Sequence, residues 1–293
     1  NVEIQNHSWG DGFDTDYTTR DRDFDNYIID NNDVIFKSAG NTNLGINVTS
    51  PGKGLNVITV GNYDDATDTI FFQSSFGDPQ TKNQKPEIVA PGTTIDTDLD
   101  GTIDNSGTSF SAPHAGAFAA NLMSNYTWMQ DKPHLMKAVM LAGATKSISG
   151  GADAVGVGGI DFWSAAYNSH MMWWTNASYA TNAANDWGTN NNYLEWKVSL
   201  TAGNNYRAVI SWLNDGDYTY AHRTDSHPIG KDFDLSVWDP NGTWKCGSGS
   251  FYNPYEMCQF STTISGDYTI RIIQYMDRDT SSNMSLAAVV NKY

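Results

Sequence analysis

The chain has 293 residues, enough for one or two domains with sizeable cores, and it carries 33 Asp and Glu against 17 Lys and Arg, a net charge of −16. So acidic a surface repels nucleic acid and anionic membranes, and neither is expected as a partner. No run of about 18 apolar residues occurs, so no bilayer-spanning helix is predicted.

Most of the acid is Asp set beside Asn, Gly, Ser and Thr, which is turn chemistry and also suits calcium. The chain begins at Asn1 with neither a methionine nor a signal peptide and reads as processed or truncated. Cys246 and Cys258 are close enough in sequence to close one disulfide in an oxidising compartment, which leans toward secretion.

In chain order, Val2-Glu3-Ile4 reads as a short strand running into Asn6-His7-Ser8-Trp9-Gly10. Asp11 to Asp23 reads as a polar loop, and Phe24, Tyr27, Ile28 and Ile29 then give helical spacing up to Asn32. Val34-Ile35-Phe36, Val57 to Gly61 and Glu87 to Gly92 are short buried-type strands, the first ending in Lys37-Ser38-Ala39-Gly40-Asn41. Such strands, separated by a helix and glycine-rich turns, predict an α/β unit with a parallel sheet.

Asp96, Asp98 and Asp100, followed by Gly101 and Ile103, resemble the first part of an EF-hand calcium loop. The position of the bidentate Glu is Gly107, so a calcium site and a solvated acidic turn both remain open. Asp11, Asp14 and Asp16 form a weaker acidic cluster.

Next comes Ser106-Gly107-Thr108-Ser109-Phe110-Ser111-Ala112-Pro113-His114, leading into a small-residue, helix-favouring segment. A glycine-flanked serine at the mouth of a buried helix is where a nucleophilic hydroxyl can be held exposed. The helix N-terminus lends positive charge to an oxyanion beside it, although Gly-Thr-Ser is also an ordinary N-cap. Pro133 to Ala144 predicts a second helix, and Gly150 to Gly159 a glycine-rich loop.

The nonapeptide resembles the catalytic-serine motif of the subtilisin-like serine proteases, the subtilases, with Ser109 in the nucleophile's place. Other segments resemble subtilase motifs in the same order. Asn6 to Gly10 is similar to the strand that lines the substrate cleft, which implies substrate binding by Ser8, Trp9 and Gly10. Ser38-Ala39-Gly40-Asn41 is similar to the segment that binds substrate and ends in the oxyanion-binding asparagine, here Asn41. Val57 to Gly61 and Ala90-Pro91-Gly92 match a further strand and turn. An amide side chain and the Ser109 N–H would then stabilise the oxyanion.

The family's Asp-[Ser/Thr]-Gly and His-Gly-Thr-His-like motifs are absent. Of the six histidines, His7 lies in the substrate strand, and His114 lies five residues after Ser109 on the same expected helix, where it reads as a satisfied buried residue directed away from Oγ. The resemblance therefore implies that residues 1–170 are the C-terminal part of a catalytic domain. The orienting Asp and basic His would come from an N-terminal part of the same protease, upstream of this chain.

From about Met171 the texture changes to alternating strands: Tyr193–Leu200, Tyr206–Leu213, Phe233–Trp238, Tyr268–Ile273 and Met284–Val290. With regular turns and no convincing helix, they predict a β-sandwich over 171–293. Asp232-Phe233-Asp234-Leu235 and the Asp239-Pro240-Asn241-Gly242 turn resemble the C-terminal jelly roll of the alkaline, oxidatively stable bacterial subtilases, which implies calcium near Asp232 or Asp234. Met171-Met172-Trp173-Trp174 reads as interdomain packing.

The sequence thus predicts a secreted serine endopeptidase acting on proteins or peptides, with structural calcium and no organic cofactor. The rival is a non-catalytic fragment or pseudoprotease that binds peptide or glycan.

Overall fold

The computed structural model describes residues 3–11, 15–42, 47–97, 101–103, 105–168, 171–174, 193–279 and 285–293. In the first half, a parallel sheet runs β1 (Ile4–His7), β2 (Val34–Ser38), β3 (Ile58–Asp64), with a short antiparallel β4 (Thr69–Ile70) and a parallel β5 (Ile88–Pro91) both paired to β3. Every residue of β2 is buried, as expected of an inner parallel strand with helices on both faces.

One face carries α1 (Thr19–Asn31), whose Ile28 meets Ile35 and Val57. The helix begins earlier than the apolar spacing suggests. Thr18 and Asp21 form a capping box there, two polar side chains satisfying two otherwise orphan backbone N–H groups inside the stretch expected to be loop.

The other face carries α2 (Thr108–Asn125) and α3 (Pro133–Gly143), which bury Phe36, Val60 and Ile88 against Ala115, Ala119 and Leu122. All of α3 is buried, consistent with a helix that is apolar or small on nearly every side. A single turn of helix, α4 (Ala152–Val155), follows.

The second half is two four-stranded antiparallel sheets. One runs β10 (Trp244–Ser248), β9 (Lys231–Trp238), β12 (Gly266–Asp277), β7 (Tyr193–Leu200); the other runs β11 (Tyr255–Ser261), β8 (Asn205–Trp212), β13 (Leu286–Lys292), β6 (Met171–Trp174). They share a core built on Trp212, Phe233, Tyr268, Ile270 and Ala288. The disulfide Cys246–Cys258, with a Cα separation of 5.9 Å, ties the edge strand of one sheet to that of the other.

The second sheet is apolar on both faces, because Val209, Tyr255, Ala287 and Val289 pack on the core beneath α3. That double burial explains the unbroken apolar run of β13 beside the alternation of β7. Met171–Trp174 pairs as a strand with β13, and its Met172 packs against the core beneath α3, in keeping with interdomain packing. One detail departs from expectation: α5 (Gly216–His222), capped by Asp215, lies in the region expected to lack helix and packs on α1.

A buried ionic hub joins the halves. Glu87 Oε1 accepts from Lys85 Nζ at 2.6 Å and Lys137 Nζ at 2.9 Å, and its Oε2 accepts from the Thr59 N–H. The two ammonium groups also donate to the carbonyls of Gly54, Leu55 and Val57. Asp25 accepts from Leu55 N–H, Asn56 N–H and Tyr17 OH, while the Asn56 side chain exchanges hydrogen bonds with the backbone of Asn214. Arg207 and Asn291 from the sandwich donate to the last carbonyls of α3, those of Leu141, Ala142 and Ala144, where a cation also complements the helix dipole.

Candidate active site

The C-terminal ends of β1 and β2 face the N-terminus of α2 across a cavity of about 250 Å³ lined by Ser8, Trp9, Gly10, Ser38, Gly40, Asn41, Thr49, Thr108 and Ser109. Ala39 lies beneath the cleft rather than in it: it is fully buried, its N–H donating to Val60 O and its carbonyl accepting from Thr49 N–H.

Ser109 occupies the first turn of α2, and its Oγ donates to the Ser8 carbonyl at 3.2 Å. The reverse contact, Ser8 Oγ to the Ser109 carbonyl at 2.8 Å, has a cause in the sequence. The helical partner of that carbonyl would be the amide of residue 113, which is a proline and has none. The serine motif thus leaves one carbonyl free to clamp the strand that borders the cleft.

Asn41 is oriented by its oxygen. Oδ1 accepts from Thr108 N–H at 2.9 Å and Thr108 Oγ1 at 3.0 Å, which leaves the Nδ2 group as the donor. Thr108 Oγ1 in turn accepts from Gly40 N–H at 3.1 Å. Gly40 has φ +114, a left-handed conformation that disfavours any side chain, and a Cβ on Gly107 would fall 3.0 Å from Asn41 Nδ2. An amide N–H pair, a helix N-terminus and a hydroxyl therefore converge where a carbonyl oxygen can gain negative charge.

No histidine among the described residues bonds Ser109. His7 accepts from Trp9 Nε1 at Nδ1 and lies 3.0 Å from Gln5 Oε1 at Nε2, so both ring nitrogens are engaged. Its ring packs edge-on against Phe24, and burial together with nearby Lys37 lowers its pKa. His114 is exposed rather than buried, because its Nδ1 reaches past the helix to the Pro91 carbonyl at 2.8 Å.

Asp96 Oδ2 accepts from Gly101 N–H at 2.9 Å, and its Oδ1 has no hydrogen-bond partner among the described residues; Asp98, Asp100 and Asp14 lie outside them. Among the described residues no group of three His, Cys, Asp or Glu side chains is placed to hold a metal. Asp232 is buried on β9; burial, then Asp234, pushes its pKa up to about 7 against the opposing pull of the Phe233 backbone N–H.

The sequence motifs reached Ser109 and Asn41 but not Thr108, which orients Asn41, nor Lys37, which lies behind the cleft wall. Thr108 was visible as the middle residue of the motif. Lys37 carried no signal beyond its oddity in an apolar strand.

Residues 1–162 match the sequence model of the subtilase family, Peptidase_S8. Solved structures similar to this chain include the prenylagaramide maturation protease PagA, at 26% identity and TM-score 0.46, covering 56% of this chain and 61% of that one. A cold adapted subtilisin-like serine proteinase aligns at 24% identity and TM-score 0.40, covering 50% of each chain. The S41 psychrophilic protease aligns at 23% identity and TM-score 0.42, covering 54% of this chain and 56% of that one. The chain thus spans between 50% and 61% of the length of these structures.

Proposed function

The chain belongs to the subtilase family, and on that premise we propose that it is the nucleophile-bearing portion of a secreted serine endopeptidase that hydrolyses protein or peptide substrates. Ser109 Oγ attacks the scissile carbonyl and forms an acyl-enzyme. Asn41 Nδ2 and the Ser109 N–H hold the oxyanion, and the substrate backbone pairs along Ser8 to Gly10. The observation that carries this reading is the Thr108 clamp on Asn41 Oδ1, which aims a side-chain donor at the end of α2 where Ser109 sits.

The general base and its orienting carboxylate come, in this proposal, from an upstream segment of the same protease. Two features support that. Ser109 Oγ has a carbonyl rather than a base as its partner, and β1 has β2 as its only neighbour among the described residues, an open parallel edge that further strands can extend. The proposal includes a structural calcium ion in the loop of Asp96, whose Oδ1, without a partner among the described residues, is a hard oxygen ligand, with Asp98 and Asp100 as the other candidate ligands.

The test is fluorophosphonate labelling followed by peptide mass spectrometry, on this chain alone and with a polypeptide carrying the subtilase Asp and His motifs. The expected result is an adduct on Ser109 that appears or accelerates with that polypeptide and vanishes in Ser109→Ala. A folded sample that stays unlabelled with its complement present would remove the catalytic reading and leave a binding module.

A further inference from the structure

Behind the cleft wall lies a cation that the chemistry above does not use. Lys37 is the fourth residue of β2, and its side chain is fully buried. Its Nζ donates to the Ser38 carbonyl and, at 3.0 Å, to Ser38 Oγ. It also lies 3.3 Å from where a Cβ on Gly10 would stand. Ser38, Gly10 and Thr49 all line the cleft, and the Thr49 side chain lies closer still to that Gly10 position, so the Ser38 and Thr49 hydroxyls and a residue without a side chain separate this nitrogen from the cavity.

No carboxylate pairs with Lys37 among the described residues, and the nearest acid is already engaged: Asp21 accepts from Thr18, Ser50 and Lys53 N–H. Burial pulls the amine down to about 7, with the charge of Asp21 opposing that shift and the charge of Lys53 adding to it. In a chain with a net charge of −16, a buried amine with no carboxylate in ion-pair contact among the described residues, set beside a substrate cleft, is out of character.

The geometry points to an acidic side chain, that of Glu or Asp, as the occupant of this cavity, with Lys37 as the specificity-determining cation behind it. The inference rests on the proteolytic reading above and adds one placement to it: with the substrate backbone along Ser8–Gly10 and its scissile carbonyl at Asn41 and Ser109, the side chain beside that carbonyl enters the cavity between Ser8–Gly10 and Ser38–Gly40. Ser38 Oγ accepts from Lys37, so its own proton is free to donate into the cavity, and a carboxylate there completes the chain Lys37–Ser38–substrate. A carboxylate there favours the protonated form of the amine, and the field of that ammonium together with the polarised hydroxyl favours an anion over a neutral isostere. A basic side chain meets the same field with the opposite sign. Lys37 touches the substrate through Ser38 and is a positioning residue, not a catalytic one.

Equilibrium binding of short acyl-peptides ending in Glu, Gln or Lys, followed by calorimetry or by the fluorescence of Trp9 in the cleft wall, tests the assignment on this chain as it stands. The Glu peptide is expected to bind about ten-fold tighter than its Gln isostere, with the Lys peptide weakest. In Lys37→Met the Glu and Gln peptides converge, and in Ser38→Ala the gap narrows. A merely structural role for Lys37 would weaken both peptides together and leave their ratio unchanged, and the Ser38 variant keeps the test open if Lys37→Met fails to fold. Equal binding of Glu and Gln peptides to the parent chain, or a ratio that survives Lys37→Met, overturns the inference and leaves the proteolytic reading intact. Binding of none of the peptides also overturns the inference, and the labelling of Ser109 with the complementing polypeptide then decides the proteolytic reading separately.

Discussion

The cleft and the hub that joins the two halves are built from the same kinds of polar group, used in opposite ways. In the hub, Glu87 meets two ammonium groups and a backbone amide, and Asp25 meets two amides and a phenol. In the cleft, the contacts orient groups without saturating them: Asn41 is held by its oxygen so that its nitrogen stays available, and the Ser109 hydroxyl rests on a single carbonyl. A buried group with every partner in place rigidifies the fold, whereas a donor fixed in direction but left open can respond to a charge that develops later. Stability and chemistry are therefore separable in this molecule, and substitutions should divide accordingly.

The largest effect is expected at the centre of the hub. Glu87→Ala leaves Lys85 and Lys137 as buried cations without their carboxylate, and urea unfolding should show a loss of about 3–5 kcal/mol. A small loss would mean that water or a rearranged acid reaches the hub, and the contrast with the cleft would fail.

Asn41→Ala is expected to do the reverse. In the complemented protease it should lower kcat about 10²–10³-fold, the order known for such a donor in subtilisin itself, while the unfolding midpoint barely moves. A matching fall in stability would place Asn41 with the structural groups.

Next in size is removal of the α3 C-terminal contacts. Arg207→Met deletes the donor to the Leu141 and Ala144 carbonyls and should cost about 1–3 kcal/mol, read by urea unfolding, with labelling of Ser109 unchanged.

The pH dependence sharpens the contrast with the gentlest change. Burial pushes the carboxyls of Asp25 and Asp232 up to about 7 and that of Glu256 up to about 8. These groups keep protons that the unfolded chain releases near pH 4, so their stabilisation is complete below that pH and is lost as pH rises through 7 to 8. Burial pulls Lys137 down to about 8, so its contribution has the opposite slope and returns as pH rises from about 8 toward 10. Urea midpoints measured between pH 4 and 9.5 should accordingly pass through a minimum at about 7–8. A steady rise across that range would contradict the burial of these carboxyls.

What the sequence determined by itself is local. The Gly-Thr-Ser stretch with Pro113 four residues on specifies a serine in the first turn of a helix and frees its carbonyl, and Ser38 to Asn41 specifies a strand end with a glycine turn, because each depends on neighbours a few residues apart. The parallel strands and most strands of the sandwich followed from apolar runs and alternation for the same reason. The start of α1 was missed because hydrophobic spacing ignores the Thr18–Asp21 cap, and β6 because Met171-Met172-Trp173-Trp174 has no polar–apolar alternation to read.

Only the tertiary structure decided which polar residues meet. Asp25, Asn56, Glu87, Lys137 and Asn214 are scattered along the chain and become partners when α1, α3 and the sandwich pack together. Lys37 is one lysine in an apolar strand until β1 and the turn at Thr49 close over it. A buried charge is defined by what surrounds it, and those surroundings come from the whole chain rather than from the residues beside it.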